Sequence, residues 1–192
     1  RHLRRLGHRR IGLIGDPGAS APTIALEHLR AGTSQALREI GVTPRGTAVV
    51  RRDASFAGGI DAMATMLREP LPPTAVLAGS DEMAAGARWA AVEAGLEVPG
   101  DLSIVGFGGR DVALHAGLTT VAQPVTEMGE TAATLLLAAM AGAEVTDTVL
   151  PCTLVVRHSS GRDRPPRGGG RSGRTGQAAA SRLESGTVDG RP

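Results

Sequence analysis

Residues 73–123 read PTAVLAGSDEMAAGARWAAVEAGLEVPGDLSIVGFGGRDVALHAGLTTVAQ, and the reading of the fold turns on them. Thr74 to Ala78 is a short apolar run of the kind that forms a strand. Ser80 and Asp81 follow, and both residue types favour helix N-caps. Met83, Ala87, Trp89 and Ala90 to Val92 fill the helix they open, and Gly95 stands where a C′ glycine would end it. Pro99-Gly100-Asp101 turns the chain. Leu102 to Gly106 is a second apolar strand. Strand, helix and strand at this spacing predict a right-handed βαβ unit with parallel strands.

The alternation continues outward on both sides. Toward the N-terminus, Arg10 to Gly15 predicts a first strand, then a loop. A helix follows, marked by Leu26, Leu29, Ala36, Leu37 and Ile40 and closed by Gly41. Thr47 to Val50 predicts a second strand and Ala54 to Gly59 a loop. Ile60, Met63, Ala64 and Leu67 mark a helix stopped by Pro70. This order predicts an α/β fold, an open parallel sheet with helices on both faces. Toward the C-terminus, Thr119 to Ala122 is extended and Pro124 starts a long helix. Met128, Ala132, Leu135, Leu136, Leu137, Ala139 and Met140 make that helix apolar around most of its circumference, which predicts burial between layers. Gly142 ends it, and Thr148 to Val156 predicts a last strand. Residues 1–118 with the strand 148–157 form the expected folded unit. Residues 158–192, HSSGRDRPPRGGGRSGRTGQAAASRLESGTVDGRP, have the composition of a disordered tail.

Composition narrows the function. The length of 192 residues suits one α/β domain. All 21 basic residues are arginine, and 19 acids bring the net charge to +2, which weakens any argument for nucleic-acid binding by the surface as a whole. The single cysteine, Cys152, fits a reducing compartment. No apolar run approaches the ~20 residues of a membrane span, and no signal peptide is visible, so a cytoplasmic location is expected. The five histidines lack metal-ligand spacing. Gly12 to Gly18 lacks both G-x-G-x-x-G and a Lys-Ser/Thr pair, and no G-x-S-x-G elbow occurs. No enzyme, cofactor or metal is expected.

In an open parallel sheet, ligands bind beyond the carboxyl ends of the strands. Four loops leave those ends: Gly15–Ala21, Arg51–Phe56, Gly79–Asp81 and Phe107–Asp111. Ser80 and Asp81 are candidates for ligand contact, with helix capping as the alternative role. Phe56 is a candidate for stacking or for core packing, and Arg110 with Asp111 supplies charge.

The segments GSDEMAAGARWAAVEAGLEVPGDLSIVGFGG and LTTVAQPVTEMGETAATLLL resemble the effector-binding domain of the LacI/GalR family of bacterial regulators, as does LGHRRIGLIG at Leu6–Gly15. The resemblance covers roughly Arg1 to Arg157. It implies a periplasmic-binding-protein-like type I subdomain that binds a small, sugar-like effector in a cleft between two subdomains. It also implies a homodimer and DNA contact through a separate N-terminal head, with no membrane partner. On this resemblance the chain is truncated at its N-terminus, and residues 119–142 cross to a first subdomain. The family places a polar residue at Ser80 and an acid at Asp81. Gly108 stands where the family usually has aspartate, Glu27 lies near a usual arginine, and Phe56 is a displaced aromatic. Family members pair through the helix at Asp81–Gly95 and the segment Arg110–Ala116, where Ala84, Ala85, Ala91 and Ala116 are small enough for close approach. The alternatives are a transport-type sugar-binding protein, which needs a secretion signal, or a fragment without function.

Overall fold

The computed structural model describes residues 1–15, 31–32, 35–36, 38–39, 41 and 49–163. Among the described residues, five helices and six strands have assigned bounds. In chain order they are α1 His2–Arg5, β1 Ile11–Gly15, β2 Val49–Arg51, α2 Phe56–Leu67, β3 Ala75–Ala78, α3 Asp81–Glu93, β4 Ser103–Gly108, α4 Asp111–His115, β5 Thr119–Ala122, α5 Val125–Met140 and β6 Thr153–Val155. The loop after β1 and Leu26, Leu29, Leu37 and Ile40 lie outside the described residues. Ala31, Gly32, Gln35, Ala36, Arg38 and Glu39 are helical.

The strands form one sheet in the order β2-β1-β3-β4-β5-β6. The first five are mutually parallel, and β6 runs antiparallel along β5. Parallel neighbours need a crossover, and each helix between them supplies one. The final strand is shorter than the sequence suggests, because only Thr153 to Val155 pair with β5.

Alternation along the strands sorts the core onto two faces. Ile14, Val76, Ala78 and Ile104 pack beneath α2, α3 and α4 with Met63, Met66 and Met83. Ile11, Ala75 and Val105 point the other way and pack with Leu3 of α1. Helix α3 is held at both ends. The Ser80 hydroxyl accepts from the Met83 N–H at 3.1 Å. Gly95, at φ +80°, closes a Schellman motif in which Gly95 N donates to Val92 O and Leu96 N to Ala91 O.

Residues 54–59 are not the loop their two glycines suggested. Ser55 caps α2, accepting from Gly58 N at 3.0 Å, and Phe56 is already helical. The glycines serve close packing. A Cβ on Gly59 would stand 2.2 Å from Met83 O, and one on Gly86 would stand 2.0 Å from Phe56 O. The backbones of α2 and α3 therefore meet directly.

Two further expectations are corrected. Residues 158–163 are part of the fold. Ser159 is buried; its carbonyl accepts the Ile104 N–H at 2.7 Å, and its hydroxyl donates to Ile104 O at 2.6 Å and accepts from Thr119 N at 2.8 Å. Buried His8 lies within hydrogen-bonding distance of the Thr74 and Ser103 hydroxyls, and its Nε2 donates to Gly161 O at 2.9 Å. Asp163 N donates to Leu6 O at 2.8 Å. The segment clasps the N-terminal ends of the strands through polar contacts, which a hydrophobicity pattern does not register. Residues 164–192 lie outside the described residues. Helix α5, read as buried between layers, has no buried residue. Leu136, Leu137 and Met140 are 61%, 66% and 76% exposed.

Candidate functional site

The C-terminal ends of β3 and β4 bring Ser80, Asp81, Gly108 and Arg110 to one edge of the sheet. Ser80 is half-buried, and its oxygen receives the Met83 N–H. A hydroxyl carries one donor besides its lone pairs, so its O–H remains for a ligand. Asp81 is fully buried. One carboxylate oxygen accepts from the Arg110 N–H at 2.7 Å and the other from the Thr120 hydroxyl. A Cβ on Gly106 would lie 2.3 Å from that second oxygen, so glycine there makes the room the carboxylate fills. Asp81, expected at an effector, thus has both carboxylate oxygens engaged within the chain. It ties the start of α3 to the loop after β4 and to β5.

Gly108 and Gly109 both have positive φ, +131° and +80°. A Cβ at Gly108 would meet Asp81 Oδ2 at 3.2 Å. Arg110 is exposed, with Nε 3.0 Å from Glu82 Oε1. Glu27 lies outside the described residues. Among the described residues, no group of three or more His, Cys, Asp or Glu could hold a metal.

Phe56 belongs to a different surface. It is 45% exposed and lines a groove of about 380 Å³ with Arg88, Trp89, Val92, Val112 and His115. Ser80, Gly108 and Arg110 do not line it. Of the alanines proposed for close approach between chains, Ala84 and Ala91 are fully buried in the core beneath α3. Ala85, nearly buried, and Ala116, half-buried, line the groove. On α2, α3 and α4 the exposed large apolar side chains are Phe56, Trp89, Val92 and Leu114. Their signal was present as Ala85, Trp89 and Val92, an i, i+4, i+7 stripe on the side of α3 opposite Met83 and Ala87.

The chain matches the periplasmic binding protein-like domain over residues 1–160. It is 41% identical over 164 residues to the HTH-type transcriptional repressor CytR of Escherichia coli strain K12, a match covering 83% of this chain and 47% of that protein. The chain is a LacI-family effector-binding domain. Its solved neighbours carry the same fold. One is a LacI family transcriptional regulator from Enterococcus faecium with bound ribose, at TM-score 0.73 and 30% identity, covering 83% of this chain and 59% of that one. Another is the lac repressor dimer bound to operator and an anti-inducer, at TM-score 0.75 and 32% identity, covering 83% and 55%. The chain thus spans about half the length of the LacI-family repressor it matches. These relatives are regulators and not enzymes.

Proposed function

We propose that this chain is the second subdomain of a LacI-type sensor. It takes a neutral, sugar-like effector at the edge formed by Ser80, Gly108 and Arg110, and acts in the cytoplasm through a dimer. The observation that carries the reading is α5. A sixteen-residue helix leaves β5 on the side of the effector edge, and none of its residues is buried by the described residues. Burying Leu136, Leu137 and Met140 is worth about 1.5–3 kcal/mol each. A first subdomain seated on α5 would supply that cover and would form the other wall of an effector cleft. Operator recognition then belongs to a separate head.

The effector is gripped without the family's usual aspartate. Gly108 offers no carboxylate and Asp81 is committed internally, which leaves the Ser80 hydroxyl and Arg110 as side-chain donors. Ribose in the Enterococcus faecium neighbour supports the sugar class. The dimer reading rests on the Phe56, Trp89 and Val92 groove, and the lac repressor neighbour was solved as a dimer.

A thermal-shift screen of the regulator against pentoses, hexoses and nucleosides tests the proposal. A true effector at 100 times its Kd stabilises by about 2.7 kcal/mol, and Ser80→Ala should weaken the shift. If every sugar and nucleoside is inert while the protein remains folded, the effector reading fails.

A further inference from the structure

We propose that the pole of the sheet opposite the effector edge is a phosphate-binding surface that holds duplex DNA by its backbone without reading sequence. Charge is strongly polarised along this chain. Residues 1–10 and 158–192 together carry twelve arginines and three acids, while residues 11–157 carry nine arginines and sixteen acids. The near-neutral total conceals a net of +9 at the two ends against −7 between them.

The fold brings residues 1–10 and residues 158–163 together at this pole. Arg4 and Arg5 lie in the last turn of α1, and Arg9 and Arg10 precede β1. The clasp places Arg162 between Gly161, whose carbonyl receives His8, and Asp163, whose N–H donates to Leu6 O. All of these arginines are exposed. Among the described residues, Arg4, Arg5, Arg9 and Arg162 make no ion pair, whereas Arg1 pairs with Glu39. Nearby, Asp163 lies 3.9 Å from His8 Nδ1. Unpaired guanidinium forks on one surface suit phosphate oxygens.

The neighbouring chemistry selects the polyanion. The chain's three aromatics, Phe56, Trp89 and Phe107, lie on α2, α3 and β4, so the pole has no platform on which unpaired bases could stack. Leu3 is buried and Leu6 half-buried, so α1 offers no apolar anchor for a membrane. What remains is contact with duplex phosphates. The choice of DNA over other double-stranded polyanions rests on the regulator reading. Such a surface would keep the sensor near DNA independently of an operator-reading head.

Four phosphate contacts predict a log–log salt slope of about −3.6, so affinity falls roughly 150-fold between 50 and 200 mM salt. The test is fluorescence anisotropy with the full chain and a labelled 30-base-pair duplex of scrambled sequence. Binding at 50 mM salt with that slope is expected. The quadruple substitution of Arg4, Arg5, Arg9 and Arg162 by glutamine should weaken it at least tenfold and flatten the slope. Replacement of the same four by lysine should largely restore it. An unchanged melting curve checks that the variants are folded. The proposal is overturned if no duplex binds at 50 mM salt, or if the glutamine variant binds as well as the parent, which would move the contact to residues 164–192. Tighter binding to anionic lipid vesicles than to duplex would overturn it as well. Sedimentation and effector binding do not involve these arginines, so failure here leaves the regulator reading standing.

Discussion

Asp81 shows how a residue of the family pattern can be retained for the fold instead of the ligand. Its carboxylate is buried, and it receives the Arg110 N–H and the Thr120 hydroxyl over the space left by Gly106. Asp81→Ala would strand the buried Thr120 hydroxyl and the partly buried Arg110 N–H, and open a small void. Bonds to a charged acceptor contribute about 1.5–3 kcal/mol, so a loss of about 2–4 kcal/mol is expected by denaturant unfolding. Gly108 leads to a second prediction. Gly108→Asp does not restore the usual sugar contact. At φ +131° any side chain is strained, and a carboxylate there would crowd Asp81. The variant should melt lower than the parent and gain no sugar affinity. A pH effect belongs to His2, whose ring lies 3.0 Å from the Ser160 hydroxyl. Burial, then nearby Arg5, holds its pKa below the ordinary 6.5. The unfolded chain therefore binds the proton more readily. The contribution of His2 is present above pH 6.5 and is lost as pH falls through its lowered folded value. His2→Gln should remove that part of the acid sensitivity of the melting temperature.

At the scale of elements, legibility followed the kind of interaction that holds each piece. The βαβ unit at residues 73–108 was readable because its signals are local: a capping serine, a C′ glycine and apolar strands. The start of α2 was not, because Gly58 and Gly59 resemble loop residues until Gly59 is seen against Met83 O and Gly86 against Phe56 O. Glycine here is a device for helix contact. Gly59→Ala or Gly86→Ala should therefore destabilise, by about 1–3 kcal/mol for an overpacked site, although alanine is the better helix former. The opposite sign in a thermal melt would show that α2 and α3 do not pack this closely. The clasp was missed for a different reason. Residues 157–163 are fixed by hydroxyls, a histidine and backbone groups, and their composition is that of a linker. Of the candidate site, the position of Ser80 and Gly108 at the sheet edge was legible from topology. The burial of Asp81 was not, because it depends on Thr120 and the loop at Arg110, distant in sequence.

At the scale of the whole molecule, two apolar surfaces stand open among the described residues, and they call for different partners. Helix α5 is exposed along its length, whereas the groove of Phe56, Trp89 and Val92 is a compact patch on the outer side of α2, α3 and α4. If the groove joins two copies, the contact is isologous and centres on the Trp89 side chain of each. Tryptophan in a desolvated centre commonly carries 2 kcal/mol or more of an interface, in the manner of about one residue in a handful. Trp89→Arg should then shift the chain from dimer to monomer in sedimentation equilibrium, by tenfold or more in Kd. It should leave the fold intact, because Trp89 is 44% exposed and lies outside the buried core. Leu137→Glu on α5 should leave that equilibrium unchanged while reducing binding of a hydrophobic dye. The reverse pattern, with α5 controlling self-association and Trp89 silent, would mean that copies of this chain pair through the helix. In that case the groove would lose its role as the dimer surface, and the seat proposed for a first subdomain would be filled by a second copy.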